Sequence, residues 1–499
     1  MKAFLEELKT HFKGEIYTDF KRRHAYSHDA SIYELTPDVA LAPIDSDDIK
    51  HLVRLVTASK HLSPGLSITA RGAGTNMSGG AIGSSIVIDM AKHFTDIRGV
   101  QANVLHAQPG ANITDSIGTI GGMVANNSAG KQWLRYGNID AAVRELSVIL
   151  ADGNEYIVKP IGKRELDIKM KQKNFEGAVY RRVYELIESN YDLVKNARPR
   201  STKNSMGYNL WSVWDRDTGI FDLTQLFTGS QGTLGVITDV KIQTTPQPAH
   251  SGSMRVYLAY ASWLGSVIPL VMRHNPASFK GLGSTGRLGK HLPGLVLTIG
   301  FDSDTDQQVG SMLANLKSDL HNHNKRIKIE IKGNESESAV FWTIHRANIN
   351  LLQEKSENSH PAYFIDDMAI PTHFASQFYR EINQIAKKNK LSVVISGHFG
   401  DGSFHITPLI DASDIKRQLK LEPVMRELIP YVIKYRGTLA GENNDGMIRG
   451  PWLPAIFGHD MYELFKTTKE IFDPLYIFNP HKKTDADWEY SMNHIRSKL

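Results

Sequence analysis

Three glycine-rich segments in the first half of this chain constrain its fold more than any other feature. The first reads Arg71-Gly72-Ala73-Gly74-Thr75-Asn76-Met77-Ser78-Gly79-Gly80 and follows a strand-like run. Glycine reaches positive φ freely, so successive backbone N–H groups there can converge on an anion. With the Thr75 and Ser78 hydroxyls nearby the segment suits a pyrophosphate cradle, although a plain tight turn would use the same residues. It is not a Rossmann fingerprint, because the G-x-G-x-x-G spacing is absent. The second segment, Thr119-Ile120-Gly121-Gly122-Met123-Val124-Ala125-Asn126-Asn127-Ser128-Ala129-Gly130, joins glycines and two adjacent asparagines to a short apolar patch, and Leu134-Arg135-Tyr136-Gly137 follows. Amide side chains and close backbone approach suit a flat polar ring system. The third is Gly229-Ser230-Gln231-Gly232-Thr233-Leu234-Gly235-Val236-Ile237-Thr238.

The rest of the chain bounds what such segments can serve. Its 499 residues allow two or three domains, and 41% hydrophobic with 22% charged residues is ordinary for a globular protein. A net charge of +5 spread over that length is weak evidence for a nucleic-acid partner, and none is expected. Cysteine is absent, so no disulfide and no Cys-ligated iron–sulfur cluster can form within it. The N-terminal residues lack a signal peptide's apolar core; Phe4, Leu5, Leu8 and Phe12 fall at helical spacing instead. No apolar run approaches membrane-spanning length, so the expected location is cytoplasmic, with attachment to the inner membrane face left open.

Short strands and helices alternate in the first third. Residues 39–43, 66–71, 85–89 and 144–150 read as strands, the last ending in the turn Asp152–Gly153. Residues 46–59 read as a helix with Ser46 as N-cap, Asp47 and Asp48 in the first turn, and Ile49, Leu52, Val53 and Val56 on one face. Residues 163–201 are charged and helical, and 226–245 return to strand. A proline-containing link suggests a boundary near residue 248. A second α+β unit then runs to about Pro480, and a polar, loosely packed tail closes the chain.

Two histidines in the second unit stand out. Residues 391–398 and 404–410 read as strands joined by an Asp401-Gly402 hairpin turn, which could bring His398 and His405 onto one face. Glu442, at the end of the next strand candidate, could complete a His₂Glu metal site with an open position. The bland alternative is two half-buried hairpin histidines hydrogen-bonded to backbone.

Taken in order, the three glycine segments resemble the FAD-binding PCMH-type domain of the vanillyl-alcohol oxidase superfamily, over residues 38–245. The nearest group is the set of glycolate oxidase D-subunits, D-lactate dehydrogenases and D-2-hydroxyglutarate dehydrogenases. His-x-Gly-Asp-Gly-x-x-His followed by Gly-Glu resembles that set's C-terminal substrate domain. Phe472-Asp473-Pro474 and Phe478-Asn479-Pro480 resemble its closing motif.

The resemblance implies an α+β fold. A helical segment (1–37) would precede a two-part FAD-binding domain (38–247), an FAD-linked oxidase C-terminal domain with an antiparallel sheet (248–480), and a tail (481–499). It implies FAD contacts at Arg71, Gly72, Ala73, Gly74, Thr75, Asn76, Ser78, Gly79, Pro109, Gly110, Thr119, Gly121, Gly122, Asn126, Asn127, Ser128, Gly130, Arg135, Tyr136, Gly137, Gly232, Gly235, Val236, Ile237 and Asn479. No histidine follows the first glycine pair, so the FAD would be non-covalent. His398, His405 and Glu442 would hold a divalent metal, usually zinc.

The implied reaction is hydride transfer from a small D-2-hydroxy acid (D-lactate, glycolate or D-2-hydroxyglutarate) to flavin. Arg346 would hold the substrate carboxylate; as a residue pattern alone it reads as a solvated helix arginine. A quinone, a cytochrome, an electron-transfer flavoprotein or oxygen would take the electrons, and a homodimer is compatible with the pattern.

Two positions depart from the family. Only eight residues separate Gly110 from Thr119, where relatives place a helix and a flavin-contacting loop. The family's histidine after Gly-Glu, its presumed proton acceptor, and the glycine that follows are here Asn443 and Asn444. An amide does not titrate near neutral pH, so Asn443 cannot be a general base, and His345, beside Arg346, is the substitute within reach in sequence. These departures keep a second reading in view, a flavin- or metal-binding subunit or scaffold with weak or lost turnover.

Overall fold

The computed structural model describes residues 1–112, 118–130, 133–246, 248–284, 295–332, 359–411 and 421–496. Its strands fall mainly into three sheets. The first orders Glu15–Tyr17, Val39–Ala42, Ile86–Asp89 and Ile68–Arg71, parallel except for the antiparallel Glu15–Tyr17 edge. The N-terminal segment is therefore not only helical.

The helix Ser46–Ser59 packs Ile49, Leu52, Val53 and Val56 against Val39, Leu41, Ile86 and Ile88 of this sheet in one apolar core. Its bounds agree with the apolar periodicity, but its cap is Asp45, not Ser46. Asp45 is extended, and its carboxylate accepts from the Asp48 N–H at 3.0 Å. A cap of this kind contributes about 1 kcal/mol.

The second sheet is antiparallel and orders Ile97–Gln101, Val104–Ala107, Val236–Gln243, Val143–Ile149 and Glu155–Val158. The expected strand over 226–245 forms only from Val236. Thr224–Phe227 is a helix, and Gly229, Gln231, Gly232 and Gly235 all take positive φ, which breaks any extended run between the two.

The third sheet is also antiparallel. It runs Lys328–Ile331, His250–Leu258, Leu295–Ser303, Ser278–Ser284, Ser392–Gly397, Ser403–Asp411 and Ser359–Pro361. Helices Asp306–His323 and Ala375–Lys388 supply apolar residues to its core.

The end of the chain returns to the first sheet. Ile68 and Asn479 exchange backbone bonds with Ile477 and Ile68, and Asn479 Nδ2 donates to the carbonyls of Gly80 and Gln231 at 2.8 and 2.7 Å. The polar tail is not loose. Lys482, Lys483, Thr484 and Ser491 are buried, Trp488–Asn493 is helical, and Glu34 N–H donates to the His494 carbonyl. Its polar residues mislead because their partners are interior carbonyls and carboxylates rather than water.

Candidate active site

A cavity of about 310 Å³ lies where the three glycine segments meet. Arg71, Gly72, Ala73, Gly74, Thr75, Asn76, Pro109, Thr119, Gly121, Gly122, Asn126, Ser128, Gly232, Gly235 and Ile237 line it. Among the described residues, no protein acceptor meets the N–H groups of Gly72, Ala73, Gly74 or Thr75, so the loop presents free donors.

Glycine is demanded sterically here. A Cβ on Gly72 would sit 2.2 Å from Thr119 Oγ1, where the first and second segments touch. Gly232 differs: at φ +67° its Cβ would meet only Ala70, at 3.8 Å, so the position needs glycine for its backbone.

Ten sequence-predicted contacts lie off the lining. Ser78 supports the wall from behind, donating to Asn76 Oδ1 and accepting from Gln231 Nε2. Gly79 packs on Tyr33, and Gly110 on the Met90 carbonyl. Asn127 closes the helix Ile120–Asn126 in left-handed geometry. Arg135 pairs with Asp302 of the third sheet, Tyr136 is exposed, and Gly130 and Gly137 flank them. Val236 is core, and Asn479 anchors the closing motif. Sequence reading missed Gln231, Met90, Met123, Gly80, Gly118 and four alanines, Ala70, Ala81, Ala125 and Ala129, which also line the cavity. Gln231, Gly80, Met123, Ala125 and Ala129 stood inside quoted segments; Met90, Ala70, Ala81 and Gly118 carried no signal.

The histidine hairpin forms as the spacing predicts. Ser392–Gly397 and Ser403–Asp411 pair with Ser396 opposite His405. The connection is a 3-10 turn, Phe399–Asp401, closed by Gly402 at φ +71°. Gly402 could carry no side chain, since its Cβ would lie 1.9 Å from the Ile370 carbonyl oxygen. The two imidazole centroids are 6.2 Å apart.

Glu442 arrives from a loop, not from a strand end, because Leu421–Lys434 is a helix and the residues after it turn into the site. Its Oε1 lies 3.2 Å from His405 Nε2 and 3.9 Å from His398 Nε2. One ligand atom from each of the three residues falls within 4.8 Å of the others.

Surrounding residues orient this cluster. Asp366 Oδ1 lies 3.0 Å from His405 Nδ1, which leaves Nε2 facing the centre. The Asp367 carboxylate accepts from the N–H groups of Glu442, at 2.9 Å, and Asn443, at 2.6 Å. Lys203 is fully buried, with Nζ 3.0 Å from Glu442 Oε2 and 3.2 Å from Asp401 Oδ2. Burial opposes charge on Glu442, but Lys203 and both histidines outweigh it and hold the carboxyl well below its usual range. Burial, reinforced by Lys203, holds His398 well below the ordinary imidazole value. For His405 burial is overcome by Asp366 and Glu442, which hold it well above.

Asn443 directs Nδ2 toward Asp366 Oδ2 at 3.4 Å. Asn444 sits at φ +62°, left-handed geometry that glycine takes freely and that asparagine visits more readily than most other residues. Arg346 and His345 lie outside the described residues, as does part of the 110–119 connection.

With this geometry in hand, the chain matches the family described as FAD linked oxidases, C-terminal domain, over residues 284–483, and the FAD binding domain over 37–116. It is 25% identical to a D-2-hydroxyglutarate dehydrogenase of Pantoea ananatis across 99% of this chain, but only 52% of that protein. The chain thus spans about half the length of the D-2-hydroxyglutarate dehydrogenases it matches. It is 24% identical to the glycolate oxidase subunit GlcD of Bacillus subtilis over 93% of both chains. The structure of 4-ethylphenol oxidase from Gulosibacter chungangensis shares the fold, with a TM-score of 0.68 at 13% identity over 97% of this chain and 96% of that one.

Proposed function

We propose that this chain, which matches the FAD binding domain and the C-terminal domain of the FAD linked oxidases, oxidises a small D-2-hydroxy acid to the 2-oxo acid with FAD as hydride acceptor. D-lactate, glycolate and D-2-hydroxyglutarate are the substrate candidates. One observation carries the reading: the loop that brings Glu442 to the histidines is bonded directly to the cavity wall, through Asn444 Nδ2 on the carbonyl of Asn126, and to the carbonyl of Gly229 two residues before the lining Gln231. A ring bound in the cavity and a substrate at the histidines would be neighbours.

Residues 38–247 would hold the FAD and 248–480 the substrate. FAD fits the cavity by its free loop donors and glycine floor, and would be non-covalent because no histidine follows the first glycine pair and, among the described residues, no histidine or tyrosine lines the cavity. FAD supplies the hydride-accepting chemistry when bound. A two-nitrogen, one-carboxylate donor set with an open side suits zinc, which would lower the pKa of a substrate hydroxyl. The chain's own residues do the rest. Asp366 and Lys203 hold His405 and Glu442 in orientation, and Arg346 is assigned to the substrate carboxylate. Asn443 cannot accept the hydroxyl proton, so His345 or solvent must.

The electron acceptor would be a quinone, a cytochrome, an electron-transfer flavoprotein or oxygen, since the chain has no cysteine for a cluster. No helix among the described residues is long and apolar enough to cross a membrane. A cytoplasmic or membrane-peripheral homodimer is our proposal for its setting. Anaerobic mixing with a panel of D- and L-2-hydroxy acids tests the function: the D-acids should bleach the flavin band. A protein that binds FAD and metal but is reduced by none of them would favour the scaffold role.

A further inference from the structure

We infer that Asn444 is a positioning residue that couples occupancy of the glycine-lined cavity to the geometry of the His398/His405/Glu442 centre; its metal arm rests on the proposed function. Asn444 is fully buried and holds a left-handed backbone. Glycine would satisfy that conformation alone, so the amide side chain needs its own account. Its Nδ2 donates to Asn126 O at 3.2 Å and Gly229 O at 2.9 Å. Its Oδ1 accepts from Asp445 N and Lys483 Nζ, both at 2.8 Å. Its N–H donates to Ser205 Oγ at 3.0 Å, and its carbonyl accepts from Arg449 at 2.8 Å. Both donors of the amide, both of its acceptor lone pairs and the backbone groups are engaged.

These bonds connect two functional surfaces. Asn126 lines the cavity, and its Oδ1 accepts from Asn76 and Gln231, which line it too. Gln231 Oε1 accepts from Gly446 N–H at 2.8 Å, a second bolt two residues beyond Asn444. On the other side only Asn443 separates Asn444 from Glu442, and the N–H groups of Glu442 and Asn443 are both pinned on Asp367. A loop held this way has no slack. Whatever stiffens or shifts the Asn126–Gly229 wall must act on Glu442, and by linkage whatever orders Glu442 must act on the wall. Couplings of this kind run to roughly 5–150-fold in affinity.

The experiment compares flavin-free and FAD-loaded protein, unmodified and as Asn444→Gly. Glycine keeps the left-handed backbone, the Ser205 and Arg449 bonds and the Lys483–Asp445 pair, and removes only the side-chain tethers. Asn444→Asp, similar in size but without the donor, separates the lost bonds from lost volume.

Hydrogen exchange over residues 440–447 and Zn²⁺ affinity by chelator competition are read in each state. In the unmodified protein FAD should slow exchange at 440–447 and tighten Zn²⁺ by about 5-fold or more. Both variants should keep FAD protection at 70–81 yet lose it at 440–447, with the Zn²⁺ ratio falling to about one. A merely structural role would lower both affinities and leave the ratio unchanged. An unmodified protein in which FAD leaves 440–447 unaffected, or an Asn444→Gly variant that keeps the effect, overturns the inference. If no Zn²⁺ binds in either state, the metal reading is lost and the exchange result alone decides the coupling.

Discussion

Asn443→His should place at position 443 a proton acceptor that its amide cannot be, and the structure sets how well. The Asn443 backbone N–H is held on Asp367 at 2.6 Å, so a new side chain would leave from the same place. The present amide reaches Asp366 Oδ2 at 3.4 Å, while Asp366 Oδ1 serves His405. An imidazole at 443 would find that second oxygen as its orienting carboxylate. A positioned general base contributes about 10²–10⁴-fold. Because Asp366 would be shared with His405, the lower end applies, about 10²-fold or about 2.7 kcal/mol of barrier. The assay is anaerobic stopped-flow bleaching of the flavin band by D-lactate and D-2-hydroxyglutarate. The unmodified protein should be slow at neutral pH and speed up with pH as hydroxide replaces the base. The variant should be faster and flatten above an imidazole pKa of about 6.5. Fast reduction of the unmodified protein, with no gain from Asn443→His, would refute the reasoning and move the base to His345, which His345→Ala should then silence.

The purified protein should be yellow and release free FAD on heating or acid, and Gly232→Val, which adds a branched side chain at a φ of +67°, should abolish retention of the dye; a colourless protein that takes up no FAD counts against the cavity assignment. His398→Ala or His405→Ala should strip a divalent metal, read by elemental analysis, and leave flavin content unchanged; an unmodified protein without bound metal sinks this. Burial pulls the Lys482 amine down to about 8, with Asp485 offsetting only part of it. The unfolded lysine keeps its proton to about 10.5, so stability should rise with pH between about 8 and 10.5, with the penalty fully present below. Lys482→Met should therefore stabilise at neutral pH by about 1–3 kcal/mol and lose that advantage toward pH 10, as urea midpoints would register; equal midpoints at both pH values would show that the lysine is solvated.

Local pattern carried much of the fold because local physics did. The 46–59 helix and the strands beside it show apolar periodicity that matches what they bury. Reading failed where glycine content overrode apolar content, at 226–235, and where composition was taken for packing, at 481–499. In the first case positive φ at four positions forbids the strand that Leu226 and Leu234 suggest. In the second, Lys482 and Lys483 read as solvent-facing but are interior, and no rule of composition separates a lysine that finds buried acceptors from one that finds water.

The candidate site divides along the same line. His398 and His405 were legible because eight consecutive residues carry them, and a hairpin turn is a local object. What controls them was not. Lys203 comes from 239 positions before Glu442, and Asp366 from 39 before His405. A buried carboxylate beside two imidazoles is costly unless a cation balances it and donors fix it. Glu442 therefore implies a partner such as Lys203, yet says nothing of where in the chain it lies. The same logic explains why Asn444 read as a lost glycine. Its sequence neighbours suggest a decayed motif, whereas its six hydrogen bonds reach Asn126, Ser205, Gly229, Asp445, Arg449 and Lys483. A position that has merely drifted does not acquire partners for every polar atom in a dry interior, because each unmet one costs about 1–3 kcal/mol. Set against the glycine that the resemblance implies there, Asn444 is thus better understood as a tie between loop and cavity than as decay, which weighs against the scaffold reading on grounds independent of the histidines.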